Sequence, residues 1–474
     1  TWTQVAQYII LIIAYMTPVV WLSVKQTGVP IPQLVYGFQL QKVSELEVKL
    51  NADPKELEVR SIFKQRADDG KAKLADVPKA MADGKAKLEA SLAAAKAAGD
   101  AGAAKKAEDG LAKFPKDETA AKAAWAKEAA LAARAAPIAA HGEAFAAKDE
   151  SARTIAKKNF LALILCLMVG TAALPHILMR YYTTPSVRSA RASVTWSLFF
   201  IFLLYFTAPA LAVLVKYVVY HDVVGTAFSA LPAWVANWQA VDPTLLSLSD
   251  INGDGIVQRA EIAIGGDIVV LATPEIAGLP YVISGLVAAG GLAAALSTAD
   301  GLLLTIANAL SHDLYYKMID PNAPVGRRVM LSKTLLLVVA VLAALVAAQK
   351  PADILFLVSA AFSLAAAGFF PALTLGIFWK RATGIAATLG MAAGVGITFY
   401  YMATTQPWLR EMFFGIPRAI PADLWWDINP ISAGIFGIPL GFIVIVAVSL
   451  VTKAPSLEIQ HLVEDVRYPN LKRA

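Results

Sequence analysis

The stretch GLVAAGGLAAALSTADGLLLTIANALSHD, residues 285–313, decides how this chain folds. It is long enough to cross a bilayer as one helix, for which about 20 residues suffice. At about 100° per residue, its polar side chains fall on roughly one half of that helix. The polar positions are Ser297, Thr298, Asp300, Thr305 and Asn308. Hydrocarbon does not tolerate such a face, so the sequence predicts a membrane helix whose polar side meets protein or water.

Three positions of this helix have the spacing of cation ligands. The carbonyl of Ala294 and the hydroxyls of Ser297 and Thr298 stand at i, i+3 and i+4, which brings their oxygens close together. Neutral oxygens of this kind suit a small cation such as Na⁺. The alternative is that hydroxyls here serve helix packing, which we expect for Thr305. An ionisable side chain inside a membrane helix is costly, so we interpret Asp300 as a coupling group for a proton or a second cation.

The composition is that of a polytopic membrane protein. Of the 474 residues, 57% are hydrophobic and 16% are charged. The net charge of +6 does not indicate a nucleic-acid partner, because the cations are spread over loops and one insert with matching acids. No nucleophile triad, P-loop or metal-hydrolase spacing appears, and we expect no enzyme. The hydrophobic spans lie at about 7–24, 159–179, 193–218, 276–311, 330–348, 354–378, 383–404 and 431–452.

These spans predict an all-α protein with about eight transmembrane helices and a helical extramembrane insert. We divide the chain into a first membrane helix with its exit loop (1–38), a charged Ala/Lys-rich insert (39–158), two membrane helices (159–218), a loop with a metal-binding pattern (219–272), five membrane helices (273–452) and a tail (453–474).

Basic residues concentrate in alternate loops, which the positive-inside rule places in the cytoplasm. This topology places Thr1 and the tail on the cytoplasmic side of the cell (inner) membrane. It places the insert and the 219–272 loop on the outer side. The cationic residues are Arg180, Arg188 and Arg191, then Lys317, Arg327, Arg328 and Lys333, then Lys380 and Arg381, and finally Lys453.

The insert between residues 39 and 158 is rich in alanine, lysine and glutamate, a composition that favours helix. Glycines and prolines divide it into short helices or an antiparallel hairpin. Two interpretations stay open for it. One is a solvated helical spacer, and the other is a docking arm for a small membrane subunit.

The segment DINGDGIVQRAE, residues 250–261, fits the EF-hand loop pattern. It has oxygen-bearing side chains at positions 1, 3 and 5, glycine at 6, an apolar residue at 8 and glutamate at 12. Asp242-Pro243 starts only a short helix before it, so we predict a structural Ca²⁺ site rather than a switch. The alternative is a tight Asx-rich turn without metal. The predicted ligands are Asp250, Asn252, Asp254, Ile256 through its carbonyl, Gln258 and Glu261.

Gly170 to Pro175 predicts a helix interruption at membrane depth. Broken helices expose backbone groups that bind substrates and ions, although Pro175 alone would also explain a kink. In the sixth span, we interpret Phe369 as a gating residue because aromatic side chains can close a solute path. The alternative is that its ring serves helix packing. Gly170, Pro175 and Phe369 are therefore the predicted substrate or gating residues. For Arg180 we favour a positive-inside anchor over attraction of a carboxylate.

Several motifs, in matching order, resemble core helices of the solute:sodium symporter family. LST (296–298) followed by SHDLY (311–315) is similar to the eighth core helix, and GTAALPHILMR (170–180) resembles the sixth, particularly in the cation/acetate symporter branch. WTQVAQ (2–7) is similar to the start of the fifth, and FFP (369–371) resembles part of the tenth. The resemblance covers nearly the whole chain except two inserts.

The resemblance implies part of the inverted-repeat fold of the leucine transporter. It implies sodium-coupled symport of a small organic anion by alternating access, and the branch favours a short monocarboxylate such as acetate. Ala294, Ser297 and Thr298 match the family's sodium ligands on the eighth core helix. Gln4 replaces an acid found in other branches, which argues against a sugar. The family's first core helix has no counterpart here, so we expect further helices upstream in the gene product.

A second function from another class stays open. The chain would then be a transporter-like membrane anchor or binding subunit that uses the insert and the calcium loop to hold an external partner. Its partners in either case include the lipid bilayer. Measurement of solute flux distinguishes the two interpretations, because a carrier transports the solute and an anchor does not.

Overall fold

A computed structural model describes residues 2–181, 183–418 and 420–467. The predicted class is confirmed, because 79% of the structure is helix and 2% is strand. Within these residues, eight helices are long and apolar enough to cross a membrane, in agreement with the eight predicted spans. The expected position of Thr1 and the last part of the tail, 468–474, lie outside the described residues.

The helices of the first half of the chain include those of the insert. They are α1 (Trp2–Thr27), α2 (Pro32–Ala52), α3 (Pro54–Ala75), α4 (Val77–Ala97), α5 (Ala101–Lys113), α6 (Glu118–Ala129), α7 (Ala132–Ala135), α8 (Glu150–Ala173), α9 (Pro175–Tyr181), α10 (Val187–Val218) and α11 (Ala233–Val241).

The second half holds most of the membrane helices. They and the neighbouring short helices are α12 (Val269–Ile276), α13 (Tyr281–Asn308), α14 (Val325–Ala348), α15 (Ile354–Phe378), α16 (Gly384–Thr405), α17 (Pro407–Phe414), α18 (Gly434–Val451) and α19 (Leu457–Arg467). Two of the long helices end in π-helix: α10 continues as Val219–Val223 and α13 as Ala309–Ile319.

Aspartate N-caps divide the insert into its helices. The side chains of five aspartates accept hydrogen bonds from backbone amides in the first turn of the helix that follows, which satisfies donors that the helix itself cannot pair. These caps begin α3, α4, α5, α6 and α8 and are Asp53, Asp76, Asp100, Asp117 and Asp149. The insert is therefore a set of helices that begin at these caps, and α3 and α4 run for 22 and 21 residues through Gly70 and Gly84.

The insert is anchored to the rest of the chain by buried charges. Glu47 on α2 is 2% exposed and its Oε1 lies 2.5 Å from Nζ of Lys216 on α10. Glu56 on α3 is 1% exposed, and its Oε2 accepts a hydrogen bond from the amide of Ala260 at 3.1 Å. Breaking a buried pair leaves an uncompensated charge, so these contacts fix the base of the insert. The interpretation of the insert as a solvated helical spacer therefore does not fit the residues at its base.

The loop before the fourth membrane span differs from the prediction at one point. No helix follows Asp242, which instead closes α11 as its C-cap. Its Oδ1 accepts hydrogen bonds from the amide and hydroxyl of Thr244, at 2.8 and 2.7 Å, and this local turn competes with helix. The next residues form β1 (Leu246–Leu248), which pairs antiparallel with β2 (Ile262–Ile264). Because Leu246 and Leu248 alternate into the core, a strand buries both.

α13, which carries the polar stretch, packs against α1. A Cβ added at Gly290 would lie 2.6 Å from the Cβ of Ala14, so glycine permits the close approach of these two helices. Ala14 is 1% exposed. The contact lies close to two turns before Ser297 and fixes that end of α13 against α1.

Candidate functional site

The structure brings two of the three predicted sodium ligands into direct contact. The hydroxyl of Thr298 donates to the carbonyl oxygen of Ala294 at 3.3 Å. Thr298 is exposed, and Ala294 and Ser297 are half-buried. All three lie on α13, whose helical geometry places Ser297 beside the other two. The hydroxyl of Thr298 and the carbonyl of Ala294 are thus bonded to each other within one helix, and the hydroxyl is exposed.

The spacing of this oxygen pair is compatible with a shared cation. Hard cations with oxygen ligands at about 2.3–2.6 Å hold neighbouring ligands that meet at right angles about 3.3–3.7 Å apart. The separation of 3.3 Å between Thr298 Oγ1 and Ala294 O falls at the lower end of this range. Rotation of one hydroxyl proton away from the carbonyl would present both oxygens to an ion without moving the helix.

Asp300 and Thr305 behave differently from each other. The carboxylate of Asp300 is exposed and, within the described residues, has no cationic group within 4.0 Å. Its coupling role stays a prediction. Thr305 is half-buried, and its hydroxyl donates to the carbonyl of Gly301 at 2.7 Å. This bond within the helix agrees with the packing role that we expected for Thr305.

The predicted helix interruption lies at Leu174. α8 ends at Ala173, Leu174 is extended with φ −66° and ψ 119°, and α9 starts at Pro175. Gly170 sits within α8, where an added Cβ would lie 2.5 Å from the carbonyl oxygen of Phe362 on α15. This close approach of two helices favours a packing role for Gly170 over a substrate contact. Pro175 begins α9 beside the break.

Arg180 on α9 contacts α1 and also α13 at Gly301, three residues after Thr298, a junction that the sequence did not reveal. Its Nη1 donates to Oε1 of Gln4 on α1 at 3.2 Å. Its Nη2 lies 3.2 Å from where a Cβ of Gly301 on α13 would be. Because Gln4 is a neutral amide, this hydrogen bond leaves the guanidinium charge uncompensated, and no carboxylate of the described chain lies within 4.0 Å of it.

Phe369 lies on α15, away from these contacts. It is 37% exposed, and α15 packs mainly against α8, α16 and α18. Nothing in these contacts connects it to Ser297, and its gating role stays a prediction.

The loop 250–261 is wound by side-chain hydrogen bonds to its own amides. Asp250 accepts from the amides of Gly253 and Gly255, at 2.7 and 3.0 Å. Asn252 accepts from Asp254 at 3.3 Å, and Asp254 from Ile256 at 2.9 Å. The two glycines have φ of +77° and +72°, a conformation that favours glycine. These bonds are those of an Asx-rich turn, and they also point the predicted ligand side chains inward.

Glu261 closes the loop from the inside. It is fully buried, and its two oxygens accept from the amides of Ile251 and Gln258, at 2.6 and 3.0 Å. Burial raises the pKa of this carboxyl, and the charge of Asp250 raises it further. Both oxygens that a bidentate ligand would offer are thus engaged. In the described part of the chain, no group of three or more His, Cys, Asp or Glu side chains is arranged to hold a metal.

Comparison with known proteins gives three relationships. The chain is 47% identical over 469 residues to an uncharacterized symporter of Cupriavidus necator, a match that covers 98% of this chain and 68% of that protein. It is 27% identical over 288 residues to a monocarboxylic acid transporter of Corynebacterium glutamicum, covering 60% of this chain and 45% of that protein. The profile of the sodium:solute symporter family matches residues 265–394, which include all of α13.

Proposed function

This chain belongs to the sodium:solute symporter family, and we propose that it takes part in Na⁺-coupled uptake of a short monocarboxylate such as acetate. Membership makes it a multi-pass membrane symporter rather than an enzyme. The observation that carries the proposal is the oxygen pair of Thr298 and Ala294, exposed on α13 inside the segment that the family profile matches. We assign Ser297 as the third ligand of this Na⁺ site.

A carboxylate substrate is supported by two independent facts. The relative from Corynebacterium glutamicum is named a monocarboxylic acid transporter. In this chain, Arg180 pairs with neutral Gln4 and so keeps a net positive charge beside α13. Guanidinium groups recognise carboxylates through paired donors, so an anionic solute fits this junction better than a sugar does.

The proposed mechanism is alternating access around the broken helix. Na⁺ binding at Ala294, Ser297 and Thr298 would hold α13 in the conformation that accepts solute, and release of the ion on the other side would free it. The membrane potential supplies about 2.3 kcal/mol per charge for each 100 mV. In this scheme Asp300 tunes ion coupling, and Pro175 and Phe369 border the solute path.

The proposed orientation follows from the loop charges. Cytoplasmic loops of membrane proteins carry an excess of Lys and Arg, which favours a position of the insert and the 219–272 loop outside the cell (inner) membrane. Accessibility of single cysteines to a membrane-impermeant reagent tests this in a Cys166→Ser background. Labelling from outside at position 109 in the insert and not at position 188 is the expected pattern, and the reverse pattern would overturn the orientation.

Uptake into proteoliposomes tests the proposed function. We expect an inward Na⁺ gradient to accumulate labelled acetate or propionate, and a K⁺ gradient of the same size to give none. If the full-length protein shows no flux of any small carboxylate but holds a soluble partner through its insert, the anchor alternative replaces the carrier.

We propose that the loop 250–261 binds Ca²⁺ weakly, on the order of 0.1–1 mM, the range of extracellular sites. Binding would require Glu261 to exchange its amide partners for the ion. Asp254→Asn keeps an oxygen for the amide of Ile256 but removes a charge, so we expect it to abolish calorimetric Ca²⁺ binding. Asp267→Asn, outside the loop, is the control. Absence of Ca²⁺ heat in the unaltered protein at millimolar concentration supports the metal-free turn instead.

A further inference from the structure

A cavity of about 460 Å³ lies where the insert (39–158) meets the loop 219–272 and the end of α10. Four of the side chains that line it are cationic, and each comes from a different element. They are Arg60 on α3, Arg134 on α7, Lys216 on α10 and Arg259 in the loop. Only Glu56 among the lining residues is acidic. The cavity is separate from α13 and its oxygen pair.

Two of the four cations are already neutralised. Nη2 of Arg60 lies 2.9 Å from Oε1 of Glu56, in a pair that is almost wholly buried. Lys216 pairs with Glu47 at 2.5 Å. These ion pairs hold the cavity walls together and leave little charge for a ligand.

Arg134 and Arg259 are not neutralised in this way. No carboxylate of the described residues lies within 4.0 Å of either guanidinium. Each donates only to a backbone carbonyl: Nε of Arg134 to Ala260 at 3.0 Å, and Nη1 of Arg259 to Ile262 at 2.9 Å. Nη2 of Arg134 and Nε of Arg259 are buried and find no acceptor in the described part of the chain. A buried donor without an acceptor destabilises the fold, and more so when it is charged.

Aromatic rings fix both guanidinium groups in place. Arg134 stacks over Phe63 at 4.8 Å, and Arg259 lies 5.7 Å from the ring centre of Tyr220. Burial lowers the pKa of Arg134, and the charge of Arg259 lowers it further, whereas the charge of Glu261 offsets part of the shift. The two guanidinium charges are therefore close enough to disfavour each other. An anion between them would relieve this repulsion and supply the missing acceptors. Both groups are held ready, so binding would cost little ordering entropy.

The remaining walls indicate which anion fits. Pro137, Ile138 and Ile264 contribute apolar surface to the same cavity. A fully hydrated inorganic ion gains nothing from that surface, whereas a carboxylate with a short hydrocarbon part buries it there. The planar guanidinium fork matches a carboxylate through two parallel hydrogen bonds.

We propose that this cavity is a second anion site, in which Arg134 and Arg259 bind the carboxylate group of a small organic acid. Ligand binding would also fasten the insert to the loop, because the two arginines come from those two segments. The site does not require Na⁺ and does not depend on the transport proposal.

Isothermal titration of the full-length protein in nanodiscs tests the site, with acetate, propionate, succinate and inorganic phosphate as probes. We expect saturable binding of at least one carboxylate without Na⁺. Arg134→Gln and Arg259→Gln should each lower its affinity at least tenfold, roughly the worth of one charge-assisted hydrogen bond. Arg66→Gln is the matched control, because it removes an exposed guanidinium from α3 outside the cavity. Carboxylate binding measured without Na⁺ separates this site from the Na⁺-dependent transport site.

Arg134→Lys and Arg259→Lys distinguish a loss of ligand binding from a loss of folding. They keep the charge but lose the fork, so we expect weaker carboxylate binding while the melting temperature without ligand stays near that of the unaltered protein. Equal affinity in all arginine variants would overturn the site. Binding of phosphate without any carboxylate would overturn the assignment of its ligand.

Discussion

Thr298→Ala and Ser297→Ala are each expected to lower Na⁺-driven uptake by about 10- to 100-fold at low Na⁺. Losing even an outer partner of a metal ligand costs about this factor in metal affinity, and these substitutions remove a proposed ligand itself. The loss should appear as a higher Na⁺ concentration for half-maximal uptake. Measurement of initial rates across a Na⁺ series in proteoliposomes gives this value directly.

Two further variants separate ion binding from helix packing. Thr298→Ser keeps the hydroxyl and should retain most of the uptake, although it loses the methyl group. Thr334→Ala is the matched control, because that threonine is also exposed in a membrane helix and donates to its own helix, to Met330 at 3.0 Å. If Thr298→Ala and Thr334→Ala have equal effects, the hydroxyl of Thr298 has only a local structural role.

Gly437→Val is expected to destabilise the bundle of α15, α16 and α18 by about 3 kcal/mol or more, at or above the upper end of the usual cost of overpacking. A Cβ at this glycine would overlap the hydroxyl of Thr398, and would lie 2.5 Å from both the Cβ of Ala367 and the carbonyl of Gly394. One of these contacts is backbone, which cannot move aside without separating the helices. Thermal unfolding in detergent, followed by loss of the monodisperse species, measures the effect.

Gly396→Val provides the control for this prediction. It makes the same chemical change in α16, but nothing lies within 4 Å of the added Cβ. We expect a change in melting temperature of only a few degrees, since valine is tolerated in an open membrane helix. Equal losses in the two variants would mean that valine itself, rather than the close approach at Gly437, destabilises the helices.

The membrane helices could be predicted because their signal is local. Each is a continuous apolar run, and the eight predicted spans agree with the eight candidate membrane helices. The break between α8 and α9 was likewise predictable, since Pro175 disfavours helix at the residue before it. The polar stretch of α13 was recognisable for the same reason: its pattern lies in one segment of sequence.

The junctions between distant segments could not be predicted in this way. Arg180 and Gln4 are 176 residues apart, and Glu56 and Ala260 are 204 apart. Neither pairing has a periodicity or motif that connects its members. The cavity of Arg134 and Arg259 likewise depends on how the insert folds back on the loop. The β1–β2 hairpin was missed because each strand has only three residues, too few to show alternation.

Equilibrium binding of ²²Na⁺ to the purified full-length protein in nanodiscs tests the central claim most directly. We expect saturable binding that falls at least about tenfold in affinity in the Ser297→Ala/Thr298→Ala double variant and is unaltered in Thr334→Ala. Saturable Na⁺ binding of equal affinity in the double variant would show that these hydroxyls are not sodium ligands.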